Sequence, residues 1–111
     1  SIDVIDVQDW HFIPAAVTLK KAFGIPFVYS IESLEDHRSH GANSPFNMAI
    51  KSIEWLGMYE ASKILVKSEW MAGEAVRIYK VPEAKIRVVK IGSEGWLRTV
   101  LETYKSLKEG S

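Results

Sequence analysis

The chain has 111 residues, no cysteine, and 14 Lys+Arg against 14 Asp+Glu, so its formal charge is zero. Hydrophobic residues make up 47% and charged residues 25%, the composition of a single globular domain. A zero balance lacks the basic footprint of a nucleic-acid binder, the apolar runs are too short for a membrane span, and the missing cysteines exclude disulfides, thiolate chemistry and cysteine zinc sites. No basic stretch followed by an apolar one opens the chain, so no secretory signal and a cytoplasmic location are expected.

The opening Ile2-Asp3-Val4-Ile5-Asp6-Val7 is short and β-branched, which predicts a strand. Asp3 and Asp6 then point to opposite faces, Asp3 exposed and Asp6 paired with a lysine. Pro14 sits where a helix begins, because a first-turn proline has no amide hydrogen to lose. Ala15, Ala16, Leu19, Ala22 and Phe23 follow at helical spacing, with Lys20 and Lys21 near the end and Gly24 as the stop. Pro26 introduces residues 27–31, a buried strand. Residues 32–44 are polar and aperiodic, and such long loops often carry function. Ser44-Pro45 signals a second helix reaching about Tyr59, its buried face being Phe46, Ala49, Ile50, Ile53 and Leu56. Lys63-Ile64-Leu65-Val66 is a third strand. Ser68 caps a third helix with Met71, Ala72, Ala75, Val76 and Tyr79 on its apolar face, broken by Val81-Pro82-Glu83. Residues 86–91 form a fourth strand and 92–95 a turn. A last helix carries Leu97, Val100, Leu101, Tyr104 and Leu107 on one face.

Short apolar strands alternating with amphipathic helices predict an α/β fold: a small Rossmann-like parallel sheet of about four strands with flanking helices and right-handed crossovers. Residues 1–111 form one domain in this reading. If the strands lie in sequential order, every crossover helix falls on the same face. Parallel sheets are normally covered on both faces, and the first strand's edge would also be bare. Either the strand order reverses or another chain supplies the cover. The residues alone leave both open; a bare edge and an under-covered face would drive self-association, most simply as a homodimer.

Gln8-Asp9-Trp10-His11 follows the first strand, and ligands of open α/β sheets bind beyond the carboxyl ends of strands. There an imidazole can donate to a sugar hydroxyl or share a proton, and Trp10 can stack on a sugar face. The plain alternative makes Asp9 a helix cap and His11 a turn residue. His37, Arg38 and His40 lie on the long loop. Their spacing matches no metal motif, so the alternatives are anion or sugar contact and a solvated loop. Ser68-Glu69-Trp70 offers free helix amides to an anion or a simple cap. No GxGxxG or P-loop is present, so no dinucleotide or Mg-nucleotide site is signalled, and neither a cofactor nor a metal is expected.

Four stretches resemble the amino-terminal, acceptor-side domain of GT-B glycosyltransferases of the glycogen/starch synthase and family-4 type. Asp3-Val4-Ile5-Asp6-Val7-Gln8-Asp9-Trp10-His11 is similar to that family's "D-V-x-H-x-H-D-W-H". Gly24-Ile25-Pro26-Phe27-Val28-Tyr29-Ser30-Ile31 is similar to "x-I-P-x-V-x-T-I-H". Ala61-Ser62-Lys63-Ile64-Leu65-Val66-Lys67-Ser68 is similar to "A-D-x-V-x-x-V-S", and residues 81–89 to "V-P-x-E-K-I-x-V-V". Their order and spacing together carry the resemblance. Gln8 and Glu32 replace common histidines, and Lys90-Ile91-Gly92 stands where "N-G-I-D" would begin. The glycine-rich "K-x-G-G-L" turn is absent.

The resemblance implies transfer of a glucosyl or related unit from a nucleotide sugar to an acceptor such as an α-glucan. His11 matches the family's active-site histidine at the inter-domain cleft and would contact the transferred sugar. Asp9 and Trp10 would hold that turn, with His37, Arg38 and His40 as further substrate contacts. The family's carboxyl-terminal, nucleotide-sugar domain has no counterpart here, and residues 96–107 resemble the last helix, which in full-length enzymes crosses back onto the amino-terminal domain. The expectation is a partial GT-B domain, inactive alone unless a second chain supplies the missing half. The alternative is a non-catalytic oligomerising or glycan-binding module.

Overall fold

The computed structural model describes residues 4–8 and 10–89, together with Leu101, Glu102 and Lys105. The strands are β1 (Ile5–Val7), β2 (Phe27–Ser30), β3 (Lys63–Val66) and β4 (Ile86–Val88). The helices are α1 (Ile13–Phe23), α2 (Glu35–Arg38), α3 (Pro45–Glu60) and α4 (Glu69–Tyr79), with 3₁₀ turns at Trp10–Phe12 and Glu83–Lys85. The strands form one parallel sheet in the order β1-β2-β3-β4. The α/β Rossmann-like architecture is therefore present, and the strand order does not reverse.

Local chemistry sets the boundaries. Pro14 lies in the first turn of α1, and Gly24 ends it in the left-handed conformation, φ +69°, with its N–H donating to Lys20 O at 2.9 Å. Ser44 and Ser68 accept from the N–H groups of Asn47 and Met71 at 3.2 and 3.1 Å, capping α3 and α4. Ser68 thus acts as a plain cap. The cap position of α1 is Phe12, three residues beyond Asp9, and Asp9 lies outside the described residues.

Strand register sorts side chains onto two faces. Val7, Phe27, Tyr29, Ile64 and Val66 join Ile13, Ala16 and Val17 of α1, Met58 of α3, and Ala75 and Tyr79 of α4 in the main core. Val4, Val28, Leu65 and Val89 form a second buried cluster on the opposite face, which contains no described helix residue. Residues 90–100, where the end of the fourth strand and the turn at 92–95 are expected, lie outside the described residues. Within 96–107 the described Leu101, Glu102 and Lys105 are helical. Leu101, expected on the buried face, is 58% exposed. On a helical wheel it stands at the margin of that stripe.

Two buried faces are rotated from their expected positions. On α1, Ile13, Ala16 and Val17 are buried, while Ala15, Ala22 and Phe23 are exposed. On α3 the buried stripe is Ile50-Glu54-Gly57-Met58, and Phe46 and Ala49 face outward. Gly57 explains the rotation. A Cβ built there would stand 2.5 and 2.9 Å from Ile13 side-chain carbons and 3.0 Å from Tyr29 Cε2. Absence of that atom lets α3 press onto α1 and β2.

Gly57→Ala should therefore destabilise the fold by about 1–3 kcal/mol through overpacking, since Ile13 is fully enclosed. Gly73→Ala on α4 meets no atom within 4 Å. It should stabilise by roughly 0.5–1 kcal/mol through helix propensity alone. Urea denaturation of both variants checks the contrast, and equal shifts would contradict the close approach.

Candidate functional site

Parallel strands all end on one side, so the segments that leave them converge there. The segments leaving β1 and β2 enclose a cleft of about 350 Å³ lined by Gln8, Trp10, His11, residues 29–33 and Arg38. The 3₁₀ turn after β1 places Trp10 against His11 with ring centroids 3.8 Å apart and planes 23° from parallel. Asp6, beneath this turn, accepts from Ser30 Oγ at 2.8 Å and from Gln8 Nε2 at 3.2 Å. Among the described residues these neighbours, rather than a lysine, hold the Asp6 carboxylate, because Ser30 lies two residues beyond its register partner Val28 on the same sheet face. On the rim Glu32 forms an ion pair with Lys67.

The loop at residues 32–44 is not irregular throughout. It contains the single turn α2, secured by a buried carboxylate that sequence reasoning did not single out. Glu54 is 0% exposed. The Glu35 N–H donates to both its oxygens at 3.1 and 3.0 Å. The Tyr79 hydroxyl donates to Oε1 at 2.5 Å, and Arg38 Nη2 to Oε2 at 3.1 Å. Arg38 also donates from Nε to Glu35 Oε1 at 3.0 Å and from Nη1 to Ser33 Oγ at 2.7 Å. Asn47 completes the cluster with an amide bond to Glu35 Oε2 at 2.7 Å. Burial, reinforced by the Glu54 carboxylate, pushes the Tyr79 hydroxyl far above the ordinary phenol range, so it stays a donor. The signal for Glu54 was its place four residues after Ile50 and four before Met58, inside the buried stripe.

The structure brings Trp10, His11 and Arg38 together at the cleft and separates the other two loop residues from it. His37 turns onto α4, with Nε2 2.9 Å from Glu74 Oε1 and its ring 4.9 Å from that of Trp70. His40 is exposed in the turn that ends α2, at φ +53°, and does not line the cleft. Among the described residues, no three His, Cys, Asp or Glu side chains stand as a metal site. Nor is any described helix long and apolar enough to cross a membrane.

Residues 1–92 match the family model of glycosyltransferase family 4, a span that includes all four strands and every described cleft residue. The chain belongs to glycosyltransferase family 4. It is 35% identical over 96 residues to a Methanocaldococcus jannaschii protein named as an uncharacterized glycosyltransferase, a match covering 85% of this chain and 24% of that protein. The chain thus spans about a quarter of that relative's length. Family and fold together make this a GT-B-like glycosyltransferase sequence.

Hydrogen bonds from Arg77, and then from His37, hold the Glu74 carboxyl down to about 2 from 4.5. A carboxyl with a depressed folded-state value stabilises the fold above its unfolded value and loses that contribution as pH falls through the folded one. Glu74→Gln should lower stability at neutral pH, and its difference from the parent should shrink below about 4.5 and vanish towards about 2. Urea denaturation at stepped pH measures this, and a difference that stays constant on acidification contradicts it.

Proposed function

We propose that this chain contributes the acceptor-side part of a glycogen synthase-like enzyme, one that transfers glucosyl units from a nucleotide sugar to an α-glucan. The observation that carries the reading is the cleft beyond β1 and β2, which the stacked Trp10 and His11 rings line together with Gln8, Glu32 and Ser33. Stacked rings beside side chains able to give and accept hydrogen bonds suit a sugar, which is apolar on its ring face and polar at its edge. His11 takes the role of contact to the transferred unit, with Trp10 as the stacking surface. Family membership over residues 1–92 supports the chemistry class.

Glycosyl transfer needs the donor held in line with the acceptor, and positioning supplies much of such catalysis. Within the described residues the cleft offers no phosphate cradle of glycine-rich backbone. We therefore expect the 111-residue chain to be inactive by itself and to work only with a donor-binding lobe.

Incubating the pure chain with ADP- or UDP-glucose and glycogen should give no turnover, and clear turnover would refute inactivity. Maltooligosaccharides should bind the chain, with His11→Ala weakening them by about tenfold, the loss of one good polar and stacking contact. Equal binding by both proteins would remove the cleft from the reading. Binding without any turnover when a donor lobe is restored would favour a non-catalytic glycan-binding module.

A further inference from the structure

Outside the cleft, the same end of the sheet carries another exposed aromatic ring. Trp70 lies in the first turn of α4, in the segment that leaves β3, as Trp10 lies in the segment that leaves β1. In a parallel sheet both segments open on the carboxyl end of the strands. Trp70 is 62% exposed, yet it is held in place. The His37 ring stands 4.9 Å from it, with the planes tilted by 30°. His37 is itself fixed, its Nε2 lying 2.9 Å from Glu74 Oε1, and Glu74 accepts from Nε and Nη2 of Arg77 at 2.8 and 2.9 Å. Ordering an indole that stays mostly in water costs side-chain entropy and buries little apolar surface, so packing alone gives it a small return. The helix turn α2 is the ridge between this ring and the cleft. Its consecutive residues point apart, Arg38 to the cleft and His37 to Trp70. Consecutive Cα atoms are about 3.8 Å apart, so the Trp70 ring stands on the order of 10 Å from the Arg38 backbone. Trp70 does not line the cleft, and a single hexose seated there leaves it untouched. A run of linked hexoses crossing α2 meets it.

We infer that Trp70 is a second stacking surface for the acceptor, reached only by a glucan several units long, so that the site prefers a chain to a mono- or disaccharide. The inference rests on the reading of the cleft as a sugar site and adds the length of the acceptor. An aromatic face suits the task, because every unit of a glucan presents an apolar ring face, and the contact tolerates any register of the chain. His37 acts only through Trp70, so it is a positioning residue. Trp55 provides an internal comparison. It is also exposed and stacks on Tyr59 at a centroid distance of 5.3 Å, but it lies near the end of α3 that leads back into β3, at the amino end of the strands. A glucan anchored in the cleft and crossing α2 does not meet it.

The test compares ligands that share a linkage and differ in length. Maltose and maltoheptaose are each titrated into the isotope-labelled chain, following the indole N–H signals of Trp10, Trp55 and Trp70. Both sugars should shift Trp10, only maltoheptaose should shift Trp70, and Trp55 should stay still. Maltoheptaose should bind at least about tenfold more tightly than maltose, the effect of one further stacking contact. Trp70→Ala should cut that ratio by about tenfold and leave maltose within about twofold, and Trp70→Phe, which keeps a ring, should retain most of it. His37→Ala should narrow the ratio by about threefold with maltose unchanged, whereas a general loss of structure would weaken both sugars alike. Equal affinities for maltose and maltoheptaose in the parent overturn the inference and leave the sugar-site reading standing. So does a Trp70→Ala chain that keeps the parent's ratio, or a Trp55 signal that moves in place of Trp70. If neither sugar shifts Trp10, the sugar-site reading fails and the inference falls with it.

Discussion

The cleft depends on one enclosed carboxylate. Glu54 lies wholly inside the protein, where an unpaired charge cannot be tolerated, and its partners come from two separate elements: the backbone of Glu35 and the guanidinium of Arg38 on α2, and the hydroxyl of Tyr79 on α4. Removing one member of such a buried set costs about 3–5 kcal/mol, because the others are left charged or polar without water. A small domain's entire stability is about 5–15 kcal/mol. The loop therefore adopts the arrangement that satisfies Glu54, and Arg38 and Ser33 reach the cleft in a fixed relation to it. A loop with the same composition and no buried anchor would have no such constraint.

The opposite wall is set by packing. Ile13, fully enclosed, fills the space that Gly57 leaves empty on α3, and Tyr29 of β2 closes the same contact. This brings the start of α1 down against α3. The 3₁₀ turn that precedes α1 must then project over the ends of β1 and β2, carrying Trp10 and His11 with it. Asp6 steadies the floor from below through Ser30 and Gln8. One wall is thus held by an apolar close approach and the other by a charged network, and the cleft is the gap between them.

The fold was legible in the sequence because its signals are local. Strand runs such as residues 63–66, the proline at the start of α1, Gly24 and the two serine caps each speak for their own segment. Strand order was not legible, since no short stretch records which strand it pairs with. The buried faces of α1 and α3 were misread for a related reason. Glu54 sits in the middle of the inward stripe of α3, and a carboxylate there reads as solvent-facing until Arg38 and Tyr79, 16 and 25 residues away, are known to meet it. Trp10 and His11 were legible as residues beyond a strand end, and they line the cleft there because they directly follow β1. His37 has the same side-chain chemistry as His11, yet it is spent on Glu74 and Trp70, a choice made by the position of α4.

The two sheet faces differ in a way that bears on why the site lies where it does. Among the described residues the three long helices α1, α3 and α4 all contribute to one core, so that face is committed to packing. On the other face, buried Val28 and Leu65 give way to the polar Asp6–Ser30 pair towards the carboxyl end of the strands. Polar groups can be placed there at little cost, because the neighbouring backbone already opens into the cleft and water reaches its rim. A site built at the amino ends would instead compete with the returns from α1, α3 and α4, where Lys20 and Lys85 are already used on the backbone carbonyls of Glu60 and Tyr59. The sheet thus has one end tied up in closing its helices and one end free to do chemistry. Trp10, His11 and Arg38 are the residues that the fold delivers to the free end.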